Sequence, residues 1–335
     1  MRAMRRAWAL AILAGCGFPE GRSMSELRPV HTYSIVARDP ATGEMGVAVQ
    51  SHWFSVGSIV TWAEAGVGAI ATQSFVDPAY GPRGLALMRS GLSAPDALKS
   101  LVAADSGEGV RQVAFVDSQG RVGVHTGSKC IESAAHKVGE QYSCQANMML
   151  NDKVVPAMSR AYETTAGDLP ERLMAALEAA QAAGGDIRGR QSAAMLIVKA
   201  KNTGRPWADR VLELRVEDHG EPVRELRRLL VVHRAYDHMN QGDLAVEHGD
   251  MKKALEHYGT AAKLIPDNVE VVYWHAVTLA TNGRVEEAIP LFRKAFAKDS
   301  NWIELTRRLH KPGILPDTPE GRALVERILK EARPQ

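Results

Sequence analysis

The sequence has few cysteines, almost no excess of either charge, and no metal- or nucleotide-binding motif. Lysine and arginine number 41 against 39 aspartates and glutamates, so the net charge of +2 gives no general attraction to nucleic acid. Cys16, Cys130 and Cys144 show no spacing with histidine that is typical of zinc sites. No phosphate-binding loop or dinucleotide fingerprint is present. We therefore predict no metal, no cofactor and no nucleic-acid partner.

The pair Cys130 and Cys144 leaves two interpretations open. The two residues lie 14 positions apart and can form a disulfide in an oxidising compartment. Two buried free thiols are an equally acceptable interpretation.

The N-terminus is typical of an exported protein. A basic start, MRAMRR, precedes the short apolar segment AWALAILAG, as in a secretory signal, and this segment is too short for a membrane-spanning helix. The tetrapeptide LAGC resembles a bacterial lipobox, in which a lipid on Cys16 would be the only attachment to a membrane. We assign residues 1–30 to a leader and predict a periplasmic, lipid-anchored or secreted protein. If Met24 is the true start, the protein is cytoplasmic.

Residues 31–232 form a first domain in which strands group with strands and helices with helices. Residues 31–51 predict a β-hairpin, because the turn RDPATGE separates two apolar runs. Further buried strands are predicted in GSIVTW, VGAIATQ, VRQVAFVD and RVGVHTG, with paired helices between strand groups. This grouping favours two stacked antiparallel sheets with helical layers outside over a parallel sheet.

Residues 233–335 are predicted to be helical and contain a repeat. A 34-residue register relates three pairs of positions: Gly249 with Gly283, Ala254 with Ala288, and Tyr258 with Phe292. This is the period of the tetratricopeptide repeat. Two repeats are fewer than an independent stack needs, so we expect them to pack on the first domain or on the final helices.

Three segments carry a resemblance to a known family. They are HTYSIVARDPATGEMGVAVQSHWFSVG, AGVGAIATQSFVDPAYGPRGL and GGDIRGRQSAAMLIV, and together they resemble the DUF1028 family over about residues 31–230. That family is assigned to the N-terminal-nucleophile (Ntn) hydrolase superfamily. The resemblance implies an α+β fold, an Ntn-hydrolase-like αββα sandwich, followed here by the all-α tetratricopeptide-like segment. It names no substrate.

The resemblance also implies a nucleophile at Thr32. Ntn hydrolases use the first residue of the mature chain, whose own α-amine, with a reference pKa of about 8, accepts the hydroxyl proton. Thr32 is internal, so a cut between His31 and Thr32 is required, which Thr32 can make by attacking the His31 carbonyl. Ser34, on the same face of the strand, is the alternative hydroxyl. The structural alternative is that both are ordinary residues at a sheet edge.

Further polar residues are predicted around Thr32. Ser51 and His52 end the second strand, beside the start of the first. His52 is a candidate base or a packed surface residue. Asn147 is a candidate oxyanion donor or a satisfied buried amide. The Asp or Lys that often tunes the amine in Ntn enzymes is missing at the analogous position.

Substrate contacts are predicted at two places. Thr72 and Gln73 follow a buried strand and can line a pocket. In the loop GGDIRGRQS, Asp186, Arg188 and Arg190 can anchor an acidic substrate, since arginine matches carboxylate geometry with two bonds. The alternative is an internal Asp–Arg ion pair that holds the loop.

Two functional hypotheses follow. The first is an Ntn-type amidohydrolase that cleaves a small non-peptide or short-peptide amide through Thr32 after the leader is removed. The second is a catalytically inactive Ntn-like scaffold that binds a protein partner through its repeats. In the first hypothesis the repeats dock a partner or extend a homodimer surface. The sequence leaves open whether the protein is an enzyme.

Overall fold

The computed structural model describes residue 30 and residues 32–333. Apart from Val30, the predicted leader lies outside the described residues, and so do Cys16 and Met24. Among the helices described, none combines the length and the apolar character that crossing a membrane requires.

Strands and short helices alternate in the first part of the chain, and helices alone form the second. The strands are β1 Thr32–Arg38, β2 Met45–Ser51, β3 Thr61–Glu64, β4 Gly68–Ser74, β5 Arg111–Asp117, β6 Val122–Thr126, β7 Ala135–Gly139, β8 Tyr142–Ala146, β9 Ser192–Val198 and β10 Arg210–Val216. The helices are α1 Gly57–Val60, α2 Tyr80–Arg89, α3 Ala94–Ala103, α4 Val154–Thr164, α5 Leu169–Ala182, α6 Pro206–Asp209, α7 Pro222–Glu247, α8 Met251–Leu264, α9 Val269–Thr281, α10 Val285–Lys298, α11 Asn301–Arg308 and α12 Pro319–Glu331.

The strands form two antiparallel sheets. One has six strands in the order β10-β9-β2-β1-β8-β7, and the other has four in the order β3-β4-β5-β6. Helices α4, α5 and the start of α7 bury apolar residues against the outer face of the large sheet. Helices α2 and α3 cover the small sheet in the same way, and a third apolar cluster fills the space between the sheets. The predicted α+β fold, an αββα sandwich followed by a helical segment, is confirmed.

The first hairpin is built as its turn chemistry predicts. β1 and β2 pair from Arg38 with Met45 at the turn to Thr32 with Ser51 at the open end. In the turn, the Asp39 carboxylate accepts the backbone N–H of Ala41 at 3.0 Å, and Gly43 adopts a φ of 76°, which a side chain rarely tolerates.

The strand predicted for GSIVTW is wrong in its first half. Gly57–Val60 form one helical turn, and only Thr61 onward is extended. The Thr61 hydroxyl donates to the Gly57 carbonyl at 2.8 Å, which stabilises the turn. A Cβ on Gly57 would lie 2.5 Å from the Cβ of Ala194, so the backbone here passes against β9.

The two described cysteines are both free thiols. Cys144 lies on β8 in the apolar layer beneath α4 and α5, where burial raises the pKa of its thiol. The Cys130 thiol instead donates to the carbonyl of Arg111, and burial raises its pKa as well. Of the two interpretations that the sequence left open, the structure has the free thiols.

Helix α7 continues without a break from the sandwich into the helical region. The proposed boundary at residue 232 falls inside this helix. On one side of that point Arg227 pairs with Glu171 and Glu178 of α5, at 2.6 and 2.8 Å. On the other side Arg234 pairs with Glu171 at 3.1 Å and with Asp168 at 2.7 Å. Helix α7 therefore packs on the first domain. The repeat helices α9 and α10 share an apolar cluster with the final helices α11 and α12, which is one of the two expected packings.

The 34-residue register corresponds to α8 and α10. Gly249 and Gly283 precede these helices, and both have a φ of 73°. The other matched positions, Ala254 with Ala288 and Tyr258 with Phe292, are all buried. The alanines allow close helix packing and the aromatic rings fill the space between helices, as the sequence pattern predicts.

Candidate active site

The space between the two sheets is apolar along most of its length and polar at one end. Val36 of β1 and Val47 and Val49 of β2 belong to the apolar cluster. Because alternate residues of a strand share a face, Thr32 and Ser34 of β1 and Ser51 of β2 face the same space. The polar end is formed by seven fully buried residues: Thr32, Ser34, Ser51, Gln73, Gln112, Gln145 and Asn147. We call these seven residues the polar cluster.

Hydrogen bonds connect the polar cluster across the two sheets. The Ser34 hydroxyl donates to Gln73 Oε1 of the small sheet at 2.6 Å, and Gln145 Nε2 donates to Ser34 Oγ at 2.6 Å. Gln73 Nε2 donates in turn to Gln112 Oε1 at 2.7 Å. Ser34, the alternative nucleophile, is thus a central member of the network.

Gln112 connects the cluster to Asn147. Its Oε1 also accepts from Asn147 Nδ2 at 2.9 Å, and its Nε2 donates to the Ala146 carbonyl and the Thr126 hydroxyl, each at 3.0 Å. Asn147 is therefore a hydrogen-bonded buried amide, the structural alternative foreseen for it. Its Nδ2 group, the oxyanion donor expected from the sequence, lies within the polar cluster.

Both the carbonyl oxygen and the side-chain hydroxyl of Thr32 form hydrogen bonds. Its carbonyl oxygen accepts from the backbone N–H of Asn147 at 3.1 Å and from Gln73 Nε2 at 3.2 Å. Its hydroxyl donates to the carbonyl oxygen of Val30 at 2.9 Å. The hydroxyl is therefore fully buried and hydrogen-bonded to the residue two positions before it.

No member of the polar cluster carries an ionisable side chain. A charge placed among these amides and hydroxyls would be desolvated and would have no counter-charge within the cluster. Such surroundings favour the neutral form of a titratable group. They also agree with the missing Asp or Lys noted in the sequence.

The segment after β4 is fixed by an ion pair. Arg111 Nε donates to Asp105 Oδ2 at 2.8 Å, and the same guanidinium bonds the Phe75 carbonyl, directly after Ser74. Burial alone would raise the pKa of Asp105, but hydrogen bonds from Arg111 and Gly107 outweigh it and hold the pKa below its usual range. The carboxylate stays charged and keeps this segment in place.

Two further candidates, Thr72 and His52, lie outside the polar cluster. Thr72 shares the opposite face of β4 with Ile70, and its hydroxyl donates to the Asp77 carbonyl at 3.1 Å. His52 is exposed, and its backbone N–H donates to Asp186 Oδ2 at 3.1 Å. The structure does not bring Thr72 into the polar cluster.

The loop GGDIRGRQS is held by ion pairs within the protein. Arg188 donates to Asp186 through Nη2 at 2.7 Å and through Nε at 3.1 Å. Arg190 pairs with Glu221, just before α7. The geometry matches the internal ion pair considered for this loop, and both arginines are engaged within the protein.

Sequence reasoning missed two members of the polar cluster, Gln112 and Gln145. Gln112 lies on β5, whose inner face otherwise carries Ala114 and Val116 at alternate positions. Gln145 lies on β8, two residues after the buried Ser143. A glutamine at an inward position of a buried strand was the available signal. In the part of the chain that the structure describes, no cluster of three or more His, Cys, Asp or Glu side chains is arranged to hold a metal.

Comparisons with known proteins follow the same division of the chain. A family of unknown function, DUF1028, matches residues 32–226, and a tetratricopeptide repeat family matches residues 239–301. The chain is also similar to a crystal structure of a DUF1028-family protein from Silicibacter pomeroyi. That similarity has 30% identity and a TM-score of 0.54, over 60% of this chain and 88% of the other. Among curated proteins, none matches the chain.

Proposed function

Since the chain belongs to the DUF1028 family, whose function is unknown, we propose an activity from its geometry. The proposed activity is amide hydrolysis of the Ntn type, in which Thr32 is the nucleophile once the leader has been removed. The observation that carries this proposal is the position of Thr32. It is the first residue of β1, and its side chain faces the polar end of an otherwise apolar sandwich.

The neutral surroundings favour an amine base at Thr32. A free α-amine has a reference pKa of about 8, and burial without a counter-charge lowers the pKa of an amine. The amine of a chain that begins at Thr32 would therefore be largely neutral near pH 7 and able to accept the hydroxyl proton. This amine therefore needs no neighbouring Asp or Lys to adjust its pKa.

The reaction proceeds in two steps. The Thr32 hydroxyl gives its proton to the amine and attacks the substrate's carbonyl carbon, and Asn147 Nδ2 can donate to the developing oxyanion. The C–N bond breaks, the leaving amine takes the proton, and an ester forms on Thr32. Water, deprotonated by the same amine, then hydrolyses the ester and restores the hydroxyl.

Activation uses the same hydroxyl within the chain, before the α-amine is free. The Thr32 hydroxyl attacks the His31 carbonyl, the peptide C–N bond breaks as the ester bond forms, and the hydroxyl proton ends on the α-amine of Thr32 that is released. Hydrolysis of that ester separates the leader. We expect the sandwich to fold before the cut. The hydrogen bonds of the polar cluster support this, because they are formed while Val30 still precedes Thr32.

The mature N-terminus tests the proposal. The full chain is expressed from its first residue and analysed by intact mass and N-terminal sequencing. We expect a chain that begins Thr32-Tyr33-Ser34, an uncut Thr32→Ala variant, and a cut Thr32→Ser variant. Thr164→Ala, an exposed threonine at the end of α4, is the matched control and should be cut. A wild-type chain that retains the residues before Thr32 would contradict the proposal.

A second function, binding of a basic protein segment, is favoured by a cavity in the helical region. The cavity has a volume of about 990 Å³ and is lined by α7, α8, α9 and the segment before α12. Its lining includes the aromatic residues Tyr258 and Trp274 and three carboxylates, Asp243, Glu247 and Glu270, but no lysine or arginine. We propose that this groove binds an extended peptide rich in Lys or Arg.

The test of this second function compares charge variants of the helical region. Glu247 lines the cavity and is exposed, whereas Glu256 of α8 is exposed and is not a lining residue. A fluorescent Lys/Arg-rich peptide should bind the wild-type protein and the Glu256→Lys control alike, and bind Glu247→Lys at least several-fold more weakly. Equal binding to the two variants, or tighter binding of a Glu-rich peptide, would exclude the acidic groove as the site.

A further inference from the structure

We infer that Val30, two residues before Thr32, occupies part of the binding site for the acyl half of the substrate. We infer further that this site takes a peptidic acyl group with a small apolar residue second from the scissile bond. The inference rests on the proposed hydrolase activity and adds a substrate class to it. Its evidence is the pairing of Val30 with Ser74.

Val30 pairs with the last residue of β4 as a strand would. The Val30 N–H donates to the Ser74 carbonyl at 2.6 Å, and the Ser74 N–H donates to the Val30 carbonyl at 2.9 Å. The two residues form an antiparallel bridge outside the named strands. Val30 therefore pairs with a strand of the small sheet, whereas Thr32 belongs to the large one.

The Val30 side chain also has a defined place. It is fully buried and belongs to the apolar cluster between the sheets, together with Val56 and Val76. The bridge therefore binds the residue through both its main chain and its side chain. This is the pattern of strand addition, in which backbone bonds give affinity and side-chain pockets give specificity.

Removal of the leader would leave this site unfilled. The N–H and C=O of Ser74 would lose their partners, and buried backbone groups without partners are costly. Val30 lies second from the bond between residues 31 and 32 on the acyl side. A substrate with a main-chain amide at that position restores both hydrogen bonds, whereas a small non-peptide amide restores neither.

The experiment compares substrates on the mature chain purified after the cut. The probes are coumarin amides of acetyl-Val-His, acetyl-(N-methyl)Val-His and acetyl-Asp-His. N-methylation removes the N–H that Val30 donates to Ser74, and aspartate places a charge in the apolar pocket. We expect kcat/KM for the valine compound to exceed that for each of the others about tenfold or more, since each change removes one such interaction. Because the ligand is changed, folding of the protein is unaffected.

A binding measurement checks the same site without turnover. The product peptide that ends in Val-His with a free carboxylate should bind the mature chain, and its N-methyl-valine form should bind about tenfold more weakly. Equal rates and equal affinities for these pairs would overturn the inference and leave the hydrolase proposal standing. Cleavage of a non-peptide amide such as acetyl-aminocoumarin in preference to all three would do the same. A chain that is never cut before Thr32 overturns both, and N-terminal sequencing separates that case.

Discussion

Nδ1 of His136 lies 2.9 Å from the hydroxyl oxygen of Thr126, and that hydroxyl also accepts a hydrogen bond from Gln112 Nε2 at 3.0 Å. One hydroxyl group thus connects an outer strand of the large sheet to the buried polar cluster. Partial burial of the imidazole lowers the pKa of His136, and nearby His125 lowers it further. The protonation state of a surface imidazole is therefore linked to the stability of the sandwich.

This linkage predicts a loss of stability in mild acid that depends on His136. The folded-state pKa lies below the unfolded value of about 6.5, so the unfolded chain binds the proton first and stability falls as the pH drops through and below that value. Between pH 7.5 and 5.5 the melting temperature of the wild-type protein should fall further than that of His136→Gln. Thermal denaturation at both pH values measures the difference.

The control for this experiment is His248→Gln, since His248 is exposed in the helical region. This variant should follow the wild-type pH dependence. An identical pH dependence in wild type and His136→Gln would show that His136 does not contribute.

Gln112 should be the most sensitive amide of the polar cluster. Gln112→Leu leaves Gln73 and Asn147 without the oxygen to which both donate. Each lost partner of a buried polar group costs roughly 1–3 kcal/mol, so we expect a loss of about 2–4 kcal/mol in the free energy of unfolding. Chemical denaturation measures it, with Gln119→Leu in an exposed turn as the control, for which we expect little change.

Gln50 should respond to the same substitution in the opposite direction. It is fully buried on β2, and within the described residues neither its Oε1 nor its Nε2 has a hydrogen-bond partner. Gln50→Leu keeps a similar volume and removes two unpaired polar atoms, so we expect a gain of about 1 kcal/mol in the free energy of unfolding. A loss of stability in the denaturation curve would contradict this.

Two helix glycines should give opposite results on substitution by alanine. A Cβ on Gly84 of α2 would lie 2.4 Å from the ring of Phe115, so Gly84→Ala should cost about 1–3 kcal/mol through overpacking. A Cβ on Gly259 of α8 meets no atom within 4 Å, so Gly259→Ala should gain about 0.5–1 kcal/mol from helix propensity. Denaturation of the two variants side by side tests both, and a shift of the same sign in both would be the wrong outcome.

The features that depend on residues close together in the chain could be predicted from the sequence. The turn around Asp39 and Gly43 sets the register that places Thr32 opposite Ser51. In the helical region, the 34-residue spacing of small and aromatic residues positions α8 and α10. The grouping of strands and helices gave the layers, because pairs of neighbouring strands seldom form a parallel sheet.

The features that sequence reasoning missed depend on distant contacts. Gln112 and Asn147 are 35 positions apart in the chain, and their bond exists only because β5 and β8 face each other across the sandwich. The run GSIVTW predicts an extended segment, whereas Gly57–Val60 form a helical turn at which the backbone lies against Ala194 of β9, a contact between distant parts of the chain. The sequence places Thr72 and Gln73 together as pocket residues, but strand alternation puts their side chains on opposite faces of β4.

Helix α7 runs unbroken for 26 residues, which is about 39 Å at 1.5 Å per residue, and carries no hinge between sandwich and repeats. A flexible tether would let a protein bound to the repeats sample many positions relative to Thr32. A continuous helix, paired to α5 on both sides of residue 232, restricts it to a narrow range of orientations. The effective concentration of such a partner at the sandwich is then set by helix geometry, and inserting a few residues into α7 would change it by rotation as much as by distance.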